Sequence, residues 1–451
     1  MKINHLNHSK SHVESIVSNS KLKTLFSLIF ILTTVCMEGK SMTDILMDST
    51  MRNHKVVYFG KGEEKPDSDQ LLMRMYYEDQ FRHSQDPLAP YFMFMSKDNN
   101  LAMGVGGVVR MRAYYDWGGA IPVSGFAPYM IPMQKDPTQM RNLGTTPAGT
   151  ALFFRVLGMN KKFGQYQLYI EANFNGYQSR DFHLKKAYGV INDWTIGYAN
   201  STFSDPGALP PTIDAQGPNA KMSATAVLVR WLHEFKNKRW SLAASVEAPQ
   251  NKVDAVADTT AAVNQYLPDV AVYGQYQWAK SGHIRLAAIL RSQPYRDLLA
   301  QQNHSVTGWG LQLSTIWQPW SHITFYGAVN GGRGFTSMGG DWLMGKYDLV
   351  AEPNMPGRMY SPSAIGGYAA LQYNINPSMF FSATYGATRY MPKDDGNPNE
   401  YKTGMYLAVN YFWYLTTRIS CGAEFNLGRR QNMDGQTAWA RRLGAMVQFS
   451  F

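Results

Sequence analysis

The chain ends Arg442-Leu443-Gly444-Ala445-Met446-Val447-Gln448-Phe449-Ser450-Phe451. Leu443, Ala445, Val447, Phe449 and Phe451 share one face at period two, and Arg442, Gly444, Met446 and Gln448 share the other. That period marks an extended strand with one apolar side. Working back towards residue 101, the alternation recurs. Arg418–Leu427 sets Ile419, Cys421, Ala423 and Phe425 against Arg418, Ser420, Gly422 and Glu424. His283–Arg291, Trp240–Ala248, Gln167–Asn175 and Val105–Tyr115 read the same way. Polar faces carry Gly, Ala, Ser, Tyr, Gln and scattered Arg. Apolar faces carry aromatics near strand ends: Trp309, Trp317, Trp320, Trp413, Tyr414 and Trp439. A soluble sandwich would fill its polar face with Lys and Glu. Aliphatic middles between aromatic ends suit a lipid belt instead.

Composition narrows the classes. The 451 residues hold 43 Lys+Arg against 33 Asp+Glu, a formal net charge of +10. Only 17% are charged, while Tyr, Phe and Trp number 27, 22 and 11, so the chain is too aromatic to be disordered. Past residue 40 no apolar run approaches the roughly 18 residues of a spanning helix. Two cysteines, Cys36 and Cys421, do not make a disulfide scaffold. What remains is a large all-β protein, either soluble and multidomain or a barrel with its outside in lipid.

Residues 1–39 read as a signal peptide: Lys21 and Lys23, an apolar run from Leu25 to Cys36, then a polar exit. The alternative is a short buried helix. The leader holds four Lys and two Glu, so the mature chain keeps +8, from +10 less +2. Residues 40–100 form an N-terminal extension. Asp67 or Ser68 caps an expected helix over 69–84, with Leu71, Leu72, Met75 and Tyr76 on one face. That helix is either a coiled-coil or docking element or an amphipathic helix on the barrel mouth.

Residues 101–451 form the expected transmembrane antiparallel β-barrel, with about sixteen strands and an aqueous lumen. Connections alternate between short turns, such as Asn376-Pro377, and long loops over 116–149, 201–221, 249–268, 331–362 and 391–400. An unpaired Arg facing lipid costs about 2–4 kcal/mol at the midplane. Strand phase therefore turns Arg110, Arg112, Arg155, Arg230, Arg285, Arg291, Arg418 and Arg442 inward. Lys185 or Lys186 joins them, the phase there being ambiguous. The inward acids are Glu171, Glu247, Asp269 and Glu424. An excess of cations in a narrow lumen selects anions; the competing reading is that these groups pair and merely fill it. The proline-rich stretch 201–221 is stiff enough to fold inward as a constriction loop, with Asp205 and Asp214 facing the wall arginines. The competing reading there is a stiff surface loop.

An enzyme in a barrel, of lipase or protease type, would need a nucleophile beside a base. His283 and His322 lie on polar faces, but no G-x-S-x-G or H-E-x-x-H occurs. No metal or cofactor is expected. Residues 40–100 are too short for a transporter plug. The basic residues are spread singly, which argues against nucleic-acid binding. A structural or adhesive barrel is the remaining alternative.

Several segments, in order and spacing, carry a resemblance: Ala187-Tyr188, Trp194-Thr195-Ile196-Gly197, Ser201-Thr202-Phe203-Ser204-Asp205, Pro211-Thr212-Ile213-Asp214, Gly217-Pro218 and Glu247-Ala248-Pro249. The set resembles the DcaP-like trimeric porins of Gram-negative outer membranes. The stretch from Asp79-Gln80-Phe81-Arg82 to Gly118-Gly119 is similar to their Bacteroidetes branch. The resemblance implies a sixteen-stranded homotrimer in the outer membrane, surrounded by its lipid. It also implies a periplasmic extension and passage of small anionic solutes such as dicarboxylates. The final strand, closing on Phe451, resembles the signal that the barrel assembly machinery reads.

Overall fold

The computed structural model of the chain describes residues 55–60, 92–97, 100–160, 162, 164–175, 181–236, 239–278, 282–393 and 397–451. The leader and the helix expected over 69–84 lie outside the described residues.

Sixteen antiparallel strands close on themselves. In chain order they are β1 Leu101–Trp117, β2 Ala151–Asn160, β3 Gly164–Asn175, β4 Asp181–Ile191, β5 Trp194–Asn200, β6 Thr225–Glu234, β7 Trp240–Glu247, β8 Asp269–Gln277, β9 His283–Asp297, β10 Gln302–Trp320, β11 Ile323–Arg333, β12 Ser363–Asn376, β13 Met379–Met391, β14 Tyr401–Tyr414, β15 Ile419–Asn432 and β16 Thr437–Ser450. Each pairs with the next, and β16 pairs with β1 from Arg441↔Trp117 to Ser450↔Val108. Strand Arg141–Thr146 continues the wall position of β2, pairing with the upper half of β1.

The wall is inverted relative to a soluble protein. On β1 the exposed Val105, Val109 and Met111 alternate with Arg110 and Arg112, which are 3% and 6% exposed. Exposed Leu286 and Leu290 on β9 likewise alternate with buried Arg285 and Arg291. Period two forces this division, since consecutive strand residues cannot share a side. At the short-turn end, aromatics gather: Trp231 stacks on His233, Trp240 meets Tyr276, and Trp317 stacks on Phe325.

Several sequence expectations need correction. Arg418 lies in the bend before β15 rather than in the strand, which begins at Ile419, although its Nε and Nη2 are buried. Tyr414 packs inward beside Phe412 and Phe380 rather than joining the outer girdle. β10 begins at Gln302, well before its apolar alternation starts, because Gln302–Thr307 pairs with Ser292–Asp297 beyond the apolar belt. Arg333 is the last residue of β11 rather than part of the long loop expected over 331–362. Two short strands, Lys55–Phe59 and Phe92–Ser96, occupy part of the extension. The second pairs with β1 from Phe92↔Val105, just beyond the point where Phe451 ends the last strand.

Candidate functional site

Three long loops turn into the barrel. The first, 118–140, buries Ile121, Phe126 and Ile131 against Tyr406, Ala408, Ala438 and Ala440. The second is the constriction loop after β5, whose residues 201–205 are at most 1% exposed. The third, after β11, buries Phe335, Met338 and Trp342. The second and third are tied together. Ser223 N and Ala224 N donate to Met338 O, and Asp341 N donates to Asn219 O at 2.8 Å. Gly339, at φ +155, lets the strands touch: a Cβ there would lie 2.4 Å from Lys221 O.

Wall side chains grip the constriction loop along its length. Glu247 accepts from Thr202 N at 2.8 Å. Tyr368 Oη donates to Ala208 O at 3.3 Å, and Asn410 Nδ2 to Pro211 O at 2.9 Å. Glu424 accepts from Ile213 N and Asp214 N, both at 2.8 Å. Asn330 Nδ2 donates to Ala220 O at 2.8 Å. Ile213 meanwhile inserts against Phe380, Phe412 and Met446. Glu247 and Glu424 therefore bind the loop through its amides.

The two loop aspartates have different partners. Asp205 sits 3.6 Å from Arg285, with His283 Nε2 at 2.8 Å and Ser314 Oγ at 2.6 Å. Burial opposes its ionisation, but Arg285, His283 and these hydrogen bonds outweigh it and hold the carboxyl below its usual range. Asp214 accepts from Phe126 N at 2.8 Å and Gly217 N at 2.9 Å, which links the first two loops.

The inward cations divide by partner. Arg291 pairs with Asp269 at 3.0 Å and Asp348 at 3.2 Å. Arg442 pairs with Asp116 at 2.6 Å. With Arg285 on Asp205, these three anchor loops and neighbouring strands. Other inward arginines hydrogen-bond neutral groups. Arg110 Nε donates to Gln448, Arg155 Nη2 to Gln167, and Arg230 Nη1 to Asn200 O. Arg112 Nη1 donates to Ala148 O, while its buried Nε and Nη2 have no hydrogen-bond partner among the described residues. Gly149, at φ +87, leaves room for these heads: a Cβ there would lie 2.7 Å from Arg110 Nη1 and 3.5 Å from Arg112 Nη2.

The phase ambiguity at Lys185 and Lys186 has a structural cause. The β3–β4 register shifts between Glu171 and Ala172. This bulge turns both lysines onto Glu171, at 2.7 and 3.7 Å. Asp348 and Asp341, absent from the sequence-derived set, lie on loops, where period two gives no inward signal, whereas Asp116, also absent, shares the phase of Arg110 and Arg112 at the tip of β1. Large apolar residues in the third loop, such as Trp342, were the available clue that it turns inward.

Together these features define the sixteen-stranded porin fold, with a loop folded into its lumen. Among solved structures, the chain is similar to the outer membrane channel DcaP of Acinetobacter baumannii. The TM-score is 0.67 at 20% identity, covering 79% of this chain and 99% of that one. It is also similar to an anion-selective porin from Comamonas acidovorans, with TM-score 0.50, 9% identity, and 78% and 100% covered. The trimer form of OmpT from Vibrio cholerae gives TM-score 0.50 at 9% identity, with 78% and 100% covered. No protein-family model and no curated protein sequence matches the chain.

Proposed function

We propose that this protein is a passive outer-membrane porin of a Gram-negative bacterium, a homotrimer passing small anionic solutes of dicarboxylate type. Likeness of fold to DcaP, to an anion-selective porin and to a trimeric porin supports the reading. The observation that carries it is Arg112: a buried guanidinium beside Arg110 and close enough to Asp214 of the inward loop and to Glu424 to feel their charge, with two nitrogens unpartnered among the described residues. A permanent cation so placed favours anions in the narrow section. In this reading residues 1–39 are a removed leader, 40–100 a periplasmic extension and 101–451 the channel. Phe451 presents the final strand to the assembly machinery. The protein is a channel rather than an enzyme.

The test is the reversal potential of single channels in a KCl gradient across planar bilayers. Wild type is expected to be anion-selective, and Arg112→Gln to lower the anion-to-cation permeability ratio at least twofold. Cation selectivity of the wild type would overturn the reading.

A further inference from the structure

Outside the lumen, the long-loop rim carries a notch in the barrel wall. Arg333 ends β11 and pairs with Ser363 at the start of β12. The chain on either side rises higher. β10 pairs with Arg333 at Trp309 and continues to Gln302. On the other side Met391 pairs with Ser363, and the chain continues as Pro392-Lys393. Between them the chain leaves β11 for the lumen: Gly334 O is held by Arg291 Nη1 at 3.1 Å and Gln293 Nε2 at 2.6 Å, and Phe335 is fully buried. The gap is a cavity of about 350 Å³, lined by Thr307, Arg333, Tyr360, Ser363, Met391 and Lys393 among others.

The notch opens to the outside of the barrel. Arg333 has the phase of Val329, which is 59% exposed, and Met391 is exposed. Arg389, also exposed, shares the face of Met391 and pairs across with Ile365. The side chains of Arg333 and Arg389 make no hydrogen bond or ion pair with any described residue. Lys393 pairs with Glu352 and lies 4.8 Å over the Tyr360 ring.

Two guanidiniums without acids, at the upper edge of an apolar belt, call for an anion from outside the chain. The row of Arg389 contains Ile365 and, through Gly331, Leu311, both exposed apolar residues. A charge there is tolerated only if its long stem carries the head up to the polar boundary. Strand spacing and rise place the two Cα atoms about 12 Å apart, within reach of one bulky phosphorylated headgroup. Guanidinium forks match phosphate oxygens in pairs.

We propose that the notch, together with the outer wall face just below it that carries Arg389, binds the phosphorylated headgroup of an outer-leaflet lipid. Arg333 and Arg389 hold its phosphate, and its acyl chains lie along Val329, Ile365 and Leu311. This rests on the outer-membrane placement above and not on anion selectivity.

The test uses the full chain, purified in detergent, and fluorescent lipopolysaccharide. The Arg333→Gln/Arg389→Gln double variant is expected to bind at least tenfold more weakly. Arg358→Gln, which removes one exposed loop charge, is expected to bind as wild type. Heat-modifiable gel migration verifies that each variant is folded. Dephosphorylated lipopolysaccharide is expected not to compete, and inorganic phosphate to compete only at far higher concentration. Equal binding by the double variant overturns the proposal, as does displacement by inorganic phosphate at matching concentration, which would make the notch a free-phosphate site. A double variant that loses its trimer while still binding lipopolysaccharide overturns it in favour of a second copy of the chain. A protein that conducts but does not bind lipopolysaccharide overturns the notch alone. One that binds but does not conduct overturns the channel alone.

Discussion

Glu424→Ala tests the anchoring of the constriction loop. Its carboxylate accepts from two loop amides, Ile213 N and Asp214 N, each at 2.8 Å. Asn410 and Asn426 also donate to it and fix its position. Hydrogen bonds to a charged acceptor contribute about 1.5–3 kcal/mol each, so losing two weakens this part of the loop by about 3–6 kcal/mol. Since about 1.4 kcal/mol is tenfold, amide protection at Ile213 and Asp214 is expected to fall by roughly 10²- to 10⁴-fold. Thr202 and Ser223, whose amides donate to Glu247 and to Met338 O, are expected to change little. Hydrogen exchange on the folded barrel reads both groups of amides. Single-channel recordings are expected to show larger and noisier current steps. Unchanged protection at residues 213 and 214 would refute the claim that Glu424 holds the loop.

Other outcomes follow from the same contacts. Trp342→Ala empties a fully buried site that Phe335 meets edge-on, a loss of about 3–5 kcal/mol in docking the third loop. Limited proteolysis is expected to cut within 334–348 while the barrel keeps its heat-modifiable migration. Gly149→Ala forces a non-glycine residue to φ +87 beside Arg110, costing about 1–3 kcal/mol, and thermal unfolding is expected at lower temperature. Burial pushes Asp341 up to about 7, against the opposing hydrogen bonds from Tyr401 and Asn219. A carboxyl raised in the docked state favours docking at low pH. That stability is lost as pH rises between the ordinary 3.8 and about 7, and is flat above. Exchange of amides 340–346, corrected for intrinsic rates, is expected to be slower at pH 5 than at pH 8. Asp341→Asn is expected to abolish the difference.

The wall was legible because period two and lipid exposure act on every strand. Arg110 and Arg112 could be turned inward from Val109 and Met111 alone. The signal failed where its cause was absent. At Lys185-Lys186 a bulge breaks the period, so counting could not choose a side that both lysines share. Gln302–Thr307 lies beyond the apolar belt and shows no alternation although it is strand. Tyr414 was misread because an aromatic near a strand end suits either the girdle or a packed lumen; its contact with Phe380 and Phe412 decides. The constriction loop was readable from its prolines. The partners that hold it were not, because Tyr368, Asn410 and Glu424 lie far along the chain from the amides and carbonyls they bind.

Those distances bear on how the protein is made. Arg110 and Gln448, joined by a hydrogen bond at the seam, are 338 residues apart, and Ile213 is 211 residues from Glu424. The strap over 201–224 is synthesised long before most of its holders. It leaves the wall after Asn200 and returns at Thr225, at the open long-loop end of the barrel, so it can enter through the mouth whether or not β16 has met β1. Its grip by Asn410 and Glu424 cannot form until β14 and β15 stand in the wall, so the strap is locked in place late, by strands made nearly two hundred residues or more after it.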